Sequence, residues 1–211
     1  VLIKLCDRLH NMRTLESMRS EKQKRIATET LEIFSPLANR LGVWQIKWEL
    51  EDLSFRYIEP EIYKSIAKKL AERRVDREGF INDFINDLAA ALADDGVDAE
   101  IRGRAKHIYS IWSKMQKKGL EFEQLFDVRA VRVLVNSVQD CYAALGCIHT
   151  NWKYIAGEFD DYIATPKENN YRSIHTAVIG PTGKVVEVQI RTHEMHEYNE
   201  LGIAAHWRYK E

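Results

Sequence analysis

Hydrophobic positions in the first half of the chain recur with the spacing of helices. Residues 20–34 form an amphipathic stretch that Pro36 is expected to stop, and Pro60 fits as an early residue of a helix running toward Arg74. Asp76 is placed to cap a further helix, in which Phe80, Ile81, Phe84, Ile85, Leu88 and Leu92 keep helical spacing as far as Gly96. Beyond Gly96 the period changes. Residues 97–102 alternate like a strand, 106–118 return to a helix, and 128–135 are a β-branched run. A helix is expected over 140–152, strands around 159–164 and 174–179, and a hairpin turn at Gly180-Pro-Thr-Gly183 leading into a strand over 185–191. A last helix is expected over about 194–209. The class is therefore α+β: a helical N-terminal segment, then a sheet of mixed or antiparallel pairing flanked by helices. No internal repeat interrupts it.

The strand Val185-Val-Glu-Val-Gln-Ile-Arg191 alternates strictly, with Glu187, Gln189 and Arg191 on one face and Val186, Val188 and Ile190 on the other. A solvated antiparallel strand reads the same way. The neighbouring segments shift the balance, because Asp127-Val-Arg-Ala-Val-Arg132 and the run from Asp161 to His175 also set polar residues into β-type segments. Asp127 and Glu187 are two strand carboxylates, a common way to fix a hard cation such as Mg²⁺ beside phosphates, and without a cation nearby their repulsion would cost stability. The segment from Arg102 to Lys114 brings cations to the start of a helix, where backbone N–H groups also attract anions. Lys106, Ser110 and Lys114 recur every four residues, so they would share a helical face able to hold a triphosphate; an ordinary solvated face has the same pattern. The Asn-rich turn from Pro166 to Tyr171 offers Lys167 to a phosphate and Tyr171 to a base, though taken alone it is only a turn. Other motifs fail. Gly180-Pro-Thr-Gly-Lys184 is too short for a Walker loop and precedes a strand, while His193 and His196 lack the spacing of a zinc-protease helix and read as surface or packing residues.

Composition narrows the classes further. A hydrophobic content of 45% can fill a core, and charged residues nearly cancel to a formal net charge of −1, so phosphate recognition must be local. An RNA-binding module would need an extended basic surface with interleaved aromatics, which this balance disfavours. No apolar run is long enough to span a bilayer, and no signal-peptide layout opens the chain, so no membrane association is expected. Cys6, Cys141 and Cys147 are odd in number and sit in apolar contexts without metal-site spacing, as suits reduced thiols in the cytoplasm. The abrupt start at Val1 and the charged finish at Glu211 suggest a piece of a longer protein.

Together the runs Gly103-Arg-Ala-Lys-His-Ile-Tyr-Ser-Ile111, Asp161-Tyr-Ile-Ala164, Ser173-Ile-His-Thr176, Val186-Glu-Val-Gln-Ile-Arg-Thr192 and Ala204-Ala-His-Trp207 closely resemble the synthetase domain of the long RelA/SpoT-type stringent-response enzymes. The resemblance implies a nucleotidyltransferase-like fold, a mixed five-stranded sheet flanked by helices. It implies transfer of pyrophosphate from ATP to the 3′-hydroxyl of GDP or GTP, with AMP leaving and Mg²⁺ as cofactor. By motif, Arg104 and Arg132 would sandwich adenine, Lys106, Ser110 and Lys114 would grip the ATP phosphates, and Asp127 would hold the metal. Lys167, Asn169, Tyr171 and His175 would form the acceptor side, with Tyr171 stacked on guanine. Glu187 would be general base and second metal carboxylate, supported by Gln189. In the family, ribosome and uncharged tRNA are contacted mainly through regions beyond this stretch. Ideal alternation puts Asp127 and Arg132 on opposite faces, unless a bulge intervenes or Asp127 precedes the strand.

Departures from the family pattern are informative. Asn170 stands where Gly is usual, and Asn tolerates the left-handed backbone such a turn needs. Glu158-Phe-Asp160-Asp161 is acidic where bifunctional relatives carry Arg-x-Lys-Asp, which points to the RelA-like branch; a Lys lost at Asp160 removes a phosphate contact and would favour an additional metal ion. Residues 2–14 resemble the end of the family's His-Asp-type hydrolase domain, with Asp7 at a metal-ligand position and Asn11 on the substrate side. The expected organisation is a hydrolase remnant over 1–20, a helical linker over 21–95 and the synthetase domain over 96–211, without hydrolase activity. The rival function is a catalytically silent nucleotide-binding regulatory fragment of a bifunctional synthetase/hydrolase, a role in which loss of Glu187 or Asp127 would be expected.

Overall fold

The computed structural model describes residues 1–72, 74–104, 106–122 and 129–202, side chains of 74–77 excepted. The described residues fall into two compact units: Val1–Ala71 with His107–Gly119 and residues 198–202, and Glu72–Lys106 with Leu120–Glu197.

The first unit is helical: α1 (Leu2–Arg13), α2 (Ser20–Glu29), α3 (Ser35–Arg40), α4 (Trp44–Ile58), α5 (Pro60–Glu72, whose last residue belongs to the other unit) and α7 (Ile108–Lys118). Leu5, Leu9 and Met12 of α1 close a small core with Ala27, Ala38 and Leu50. The chain does not stop at Pro36 as its sequence suggested. After α2 a π-helical turn, Thr30–Phe34, runs straight into α3, where Pro36 sits in the first turn. That position does not need the N–H proline lacks, and the wider turn leaves room for the ring.

The second unit carries β1 (Ala99–Gly103), β2 (Ala130–Val135), β3 (Tyr154–Asp161), β4 (Ile174–Ile179) and β5 (Val185–Thr192) in the order β1-β2-β5-β4-β3. The β2–β5 pair is parallel and the other three are antiparallel, so the expected mixed five-stranded sheet flanked by helices is what forms. On one face Phe84, Leu88 and Leu92 of α6 (Arg74–Asp94) and Cys141, Ala144 and Ile148 of α8 (Val138–Asn151) pack against Val131, Val133, Val186, Val188 and Ile190. Ser137 caps α8 in a reciprocal box with Asp140. α9 (His193–Leu201) follows β5.

Several boundaries differ from the sequence reading, three of them with consequences. α6 begins at Arg74, so Asp76 lies inside the helix instead of capping it. β3 starts at Tyr154, ahead of the expected 159, because an edge strand with mostly exposed residues has no apolar face to announce it. Lys106 precedes α7, whose N-cap is the extended His107, so Lys106 is not on a helical face with Ser110 and Lys114. Cys6, Cys141 and Cys147 are free thiols, the last two buried. Among the described residues no helix is long and apolar enough to cross a membrane.

Candidate active site

The register of the sheet assembles the site. Arg102 pairs with Arg132, Arg132 with Gln189, Gln189 with His175 and His175 with Asp160, a polar row that crosses all five strands on the face opposite the valines. Two residues along β5, Glu187 pairs with Ala130 and Ala177 on the same face, flanked by small side chains. At its centre the face is not a solvated one: Gln189 is 2% and Arg191 1% exposed, so the reading of β5 as an alternating surface strand does not hold.

Glu187 is the electrostatic centre. Its Oε2 lies 3.4 Å from Lys106 Nζ, its Oε1 3.6 Å from Arg104 Nη1, and the Gln189 amide donates to Oε1 at 2.7 Å. Burial by itself would raise this carboxyl, but Lys106 and Arg104, with smaller help from His175 and the Gln189 amide, outweigh it and hold the group below the usual carboxylate range. His175 responds in the opposite sense. Its burial pushes the imidazole down to about 3, with Glu187 opposing and Arg191, Lys167 and Arg104 adding to the fall. It is therefore neutral at pH 7, and its Nε2 stands 2.8 Å from the Tyr171 hydroxyl.

The loop before β4 is a closed turn. Asn170 adopts φ +59°, as its residue type allows, its N–H donates to Lys167 O at 2.8 Å, and the Tyr171 N–H donates to Asn169 Oδ1 at 3.3 Å. Tyr171 is buried, edge-on to Tyr162 and His175, while the exposed Lys167 ammonium lies 4.1 Å over the Tyr162 ring and 5.3 Å from that of Tyr171. Lys167, Asn169, Tyr171 and His175 are thus brought together. Asp161 serves structure: Oδ1 accepts the Ile163 and Ala164 N–H groups and Oδ2 the Tyr142 hydroxyl.

Arg104 extends the β1 ladder through its N–H to Ala130 O, which makes it a diagonal same-face neighbour of Arg132. Such neighbours stand roughly 7–8 Å apart along the backbone. Arg132 also lies 3.5 Å from His196 Nδ1. Ser110 and Lys114 share one face of α7 in the helical unit, both half-buried. The N-terminus of α7 is not open to an anion as expected: the Tyr109 N–H donates to Asp52 Oδ1 at 2.8 Å, and Asp52 Oδ2 meets His107 at 3.2 Å. Asp7 and Asn11 lie exposed one turn apart on α1, joined by an amide-to-carboxylate bond of 3.3 Å.

Asp127 lies outside the described residues, and β2 begins after it at Ala130. Glu187 is a hard oxygen donor of the kind Mg²⁺ takes, and one or two carboxylates suffice where phosphates complete the shell. Among the described residues no group of three or more His, Cys, Asp or Glu is gathered. Arg191 is the member whose part the sequence did not reveal. Alternation put it on the polar face, but only the packing shows it buried and bonded to both Gln189 Oε1 (2.7 Å) and the Tyr171 hydroxyl (2.9 Å).

A buried carboxylate set beside the cations Lys106 and Arg104 defines a class of site suited to a polyanionic substrate. Comparison with known proteins gives the family. Residues 103–211 match the region found in RelA/SpoT proteins, and residues 1–44 match an HD domain. GTP pyrophosphokinases of Photobacterium angustum and Escherichia coli K12 are each 56% identical over all 211 residues. A probable guanosine-3′,5′-bis(diphosphate) 3′-pyrophosphohydrolase of Synechocystis is 51% identical over the same span. In each case the chain spans 28% of the relative's length. Among solved structures, small alarmone synthetase 1 of Bacillus subtilis bound to its product pppGpp is 24% identical, covering 70% of this chain and 82% of that one at a TM-score of 0.49. The chain belongs to the RelA/SpoT family.

Proposed function

We propose that this chain transfers pyrophosphate from ATP to the 3′-hydroxyl of GDP or GTP, giving ppGpp or pppGpp and AMP, in the cytoplasm. The observation that carries the reading is Glu187, a carboxylate on the central strand held between the cations Lys106 and Arg104 and oriented by Gln189. In the reaction the acceptor 3′-oxygen bonds to the β-phosphorus of ATP, the bond from that phosphorus to the α–β bridging oxygen breaks, and AMP departs with that oxygen. The hydroxyl proton passes to Glu187. Lys106 spreads charge from the transferred group once the polyphosphate draws it from Glu187, and Arg104 and Arg132 hold the adenine between them. The family motif adds Ser110 and Lys114 to the phosphate-gripping set.

On the acceptor side Lys167 would take up acceptor phosphate and Tyr171 would stack on guanine, while Asn169 keeps the turn closed and His175 braces the Tyr171 hydroxyl. Asp127 and Glu187 would hold Mg²⁺, which would supply charge neutralisation on the donor. Residues 1–20 are read as the end of a hydrolase domain, 21–95 as a helical linker and 96–211 as the synthetase. Ribosome and uncharged tRNA would be engaged by other regions of the longer relatives' architecture.

The test is AMP release from Mg²⁺-ATP with GDP or GTP, with guanosine products resolved by anion exchange. Wild type should form a 3′-pyrophosphorylated guanosine, and Glu187→Gln should lose about 10²–10⁴-fold in rate, the range for a positioned general base. Nucleotide binding without product in wild type would replace this reading with the silent regulatory one.

A further inference from the structure

The polar face of β5 does more than present a base. Starting at the Tyr171 hydroxyl, a chain of hydrogen bonds runs through Arg191 (2.9 Å) to Gln189 (2.7 Å) and on to Glu187 (2.7 Å). Donor and acceptor chemistry fixes its polarity. A guanidinium can only donate, so Arg191 gives one N–H to the Tyr171 oxygen and another to Gln189 Oε1. With Oε1 turned to Arg191, the Gln189 amide must turn its NH₂ to Glu187. The Tyr171 hydroxyl also meets His175 Nε2, 2.8 Å away. Each bond therefore dictates the sense of the next.

Burial makes that order rigid. Arg191 is 1% exposed and Gln189 2%, so water does not compete for these groups, and reversing the amide would oppose an N–H to an N–H. The Arg191 guanidinium also lies 5.3 Å from the Tyr171 ring centroid, tying it to the ring as well as to the hydroxyl. From this arrangement we infer that Arg191 is a positioning residue: through Gln189 it aims the Glu187 carboxylate, and it links that aim to Tyr171 on the acceptor side. Seating of the guanosine acceptor against Tyr171 then orients the base as well as the nucleophile. The inference deepens the proposed function and rests on it for the identity of the acceptor.

Tyr171→Phe separates this role from packing, since it keeps the ring and deletes only the hydroxyl that Arg191 grips. Arg191→Lys keeps the charge but replaces the planar, fixed Nη2 group that serves both acceptors with a rotatable ammonium on a different stem. The first readout needs no turnover. The side-chain NH₂ signals of Gln189, assigned by NMR, should be distinct and slow to exchange in wild type, and should shift and exchange faster in both variants while the backbone spectrum is kept. The second is steady-state kinetics with GDP, in which Tyr171→Phe should lower kcat about tenfold and leave KM for GDP within about twofold.

Unaltered Gln189 signals in Tyr171→Phe overturn the inference, whatever the activity. So does a wild-type kcat in that variant, or a loss confined to KM, which would leave Tyr171 as a binding platform only. A wild type that makes no 3′-pyrophosphorylated guanosine removes the proposed function, and the Gln189 signals then decide the positioning role on their own.

Discussion

Acid should destabilise this protein through one imidazole. His175 has an ordinary value of 6.5 and is held down to about 3, chiefly by burial. Below pH 6.5 the unfolded chain takes up a proton at this site that the folded chain refuses, so the unfolded state binds more protons and stability rises with pH. The contribution is therefore complete above about 6.5 and is lost progressively as pH falls toward 3. Between pH 7 and pH 5 the loss amounts to about 1.5 pH units of linkage, or roughly 2 kcal/mol. For a chain of 211 residues that corresponds to a fall in Tm of about 4–8 °C. The assay is urea unfolding of wild type and His175→Gln at pH 7, 6 and 5, since glutamine can still accept from Tyr171 but does not titrate. Glu187, to which His175 is coupled, is held below its ordinary 4.5 and stays ionised in the folded protein over this range, so the difference in slope isolates His175. Parallel pH profiles for the two proteins, or an NMR titration midpoint for His175 near 6.5, would refute the reasoning.

Phe84→Ala should cost about 3–5 kcal/mol, because Phe84 is fully buried and packs edge-on to Trp152 with ring centroids 5.3 Å apart; a loss under about 1.5 kcal/mol in urea unfolding would mean this core is loosely packed. At Asn170, where φ is +59°, Gly should be tolerated within a few tenths of a kcal/mol and Val should destabilise by about 1–2 kcal/mol, measured as a shift in denaturation midpoint. Asp160 sits in register with His175 on the polar face, so Asp160→Lys should lower the Mg²⁺ concentration needed for half-maximal product formation; an unchanged metal titration would show that the acidic motif does not set the metal requirement.

Much of this protein is determined locally. Alternation in residues 185–191 sorts Glu187, Gln189 and Arg191 from the valines because a strand has period two, and that holds in any fold. The apolar stripe from Phe80 to Leu92 makes α6 helical for the same kind of reason, and Asn170 marks a left-handed turn because few other side chains accept one. The signature runs also carry the family, since they identify a set of residues whatever their arrangement. Elsewhere local signals misled. Pro36 and Asp76 read as a stop and a cap, yet a π turn absorbs the first and α6 begins before the second. The start of β3 stayed hidden because an exposed edge strand buries too little to leave a pattern.

What the sequence alone could not decide is which strands stand side by side. Residues 102, 132, 160, 175 and 189 are scattered over nearly ninety positions, and only the order β1-β2-β5-β4-β3 sets them in one row. The same order encloses β5 between β2 and β4, and it is this enclosure that turns Arg191 from one more surface cation into a buried donor. Burial and hydrogen-bond direction depend on neighbours distant in the chain, so they belong to the packing. Residue type and spacing belong to the sequence.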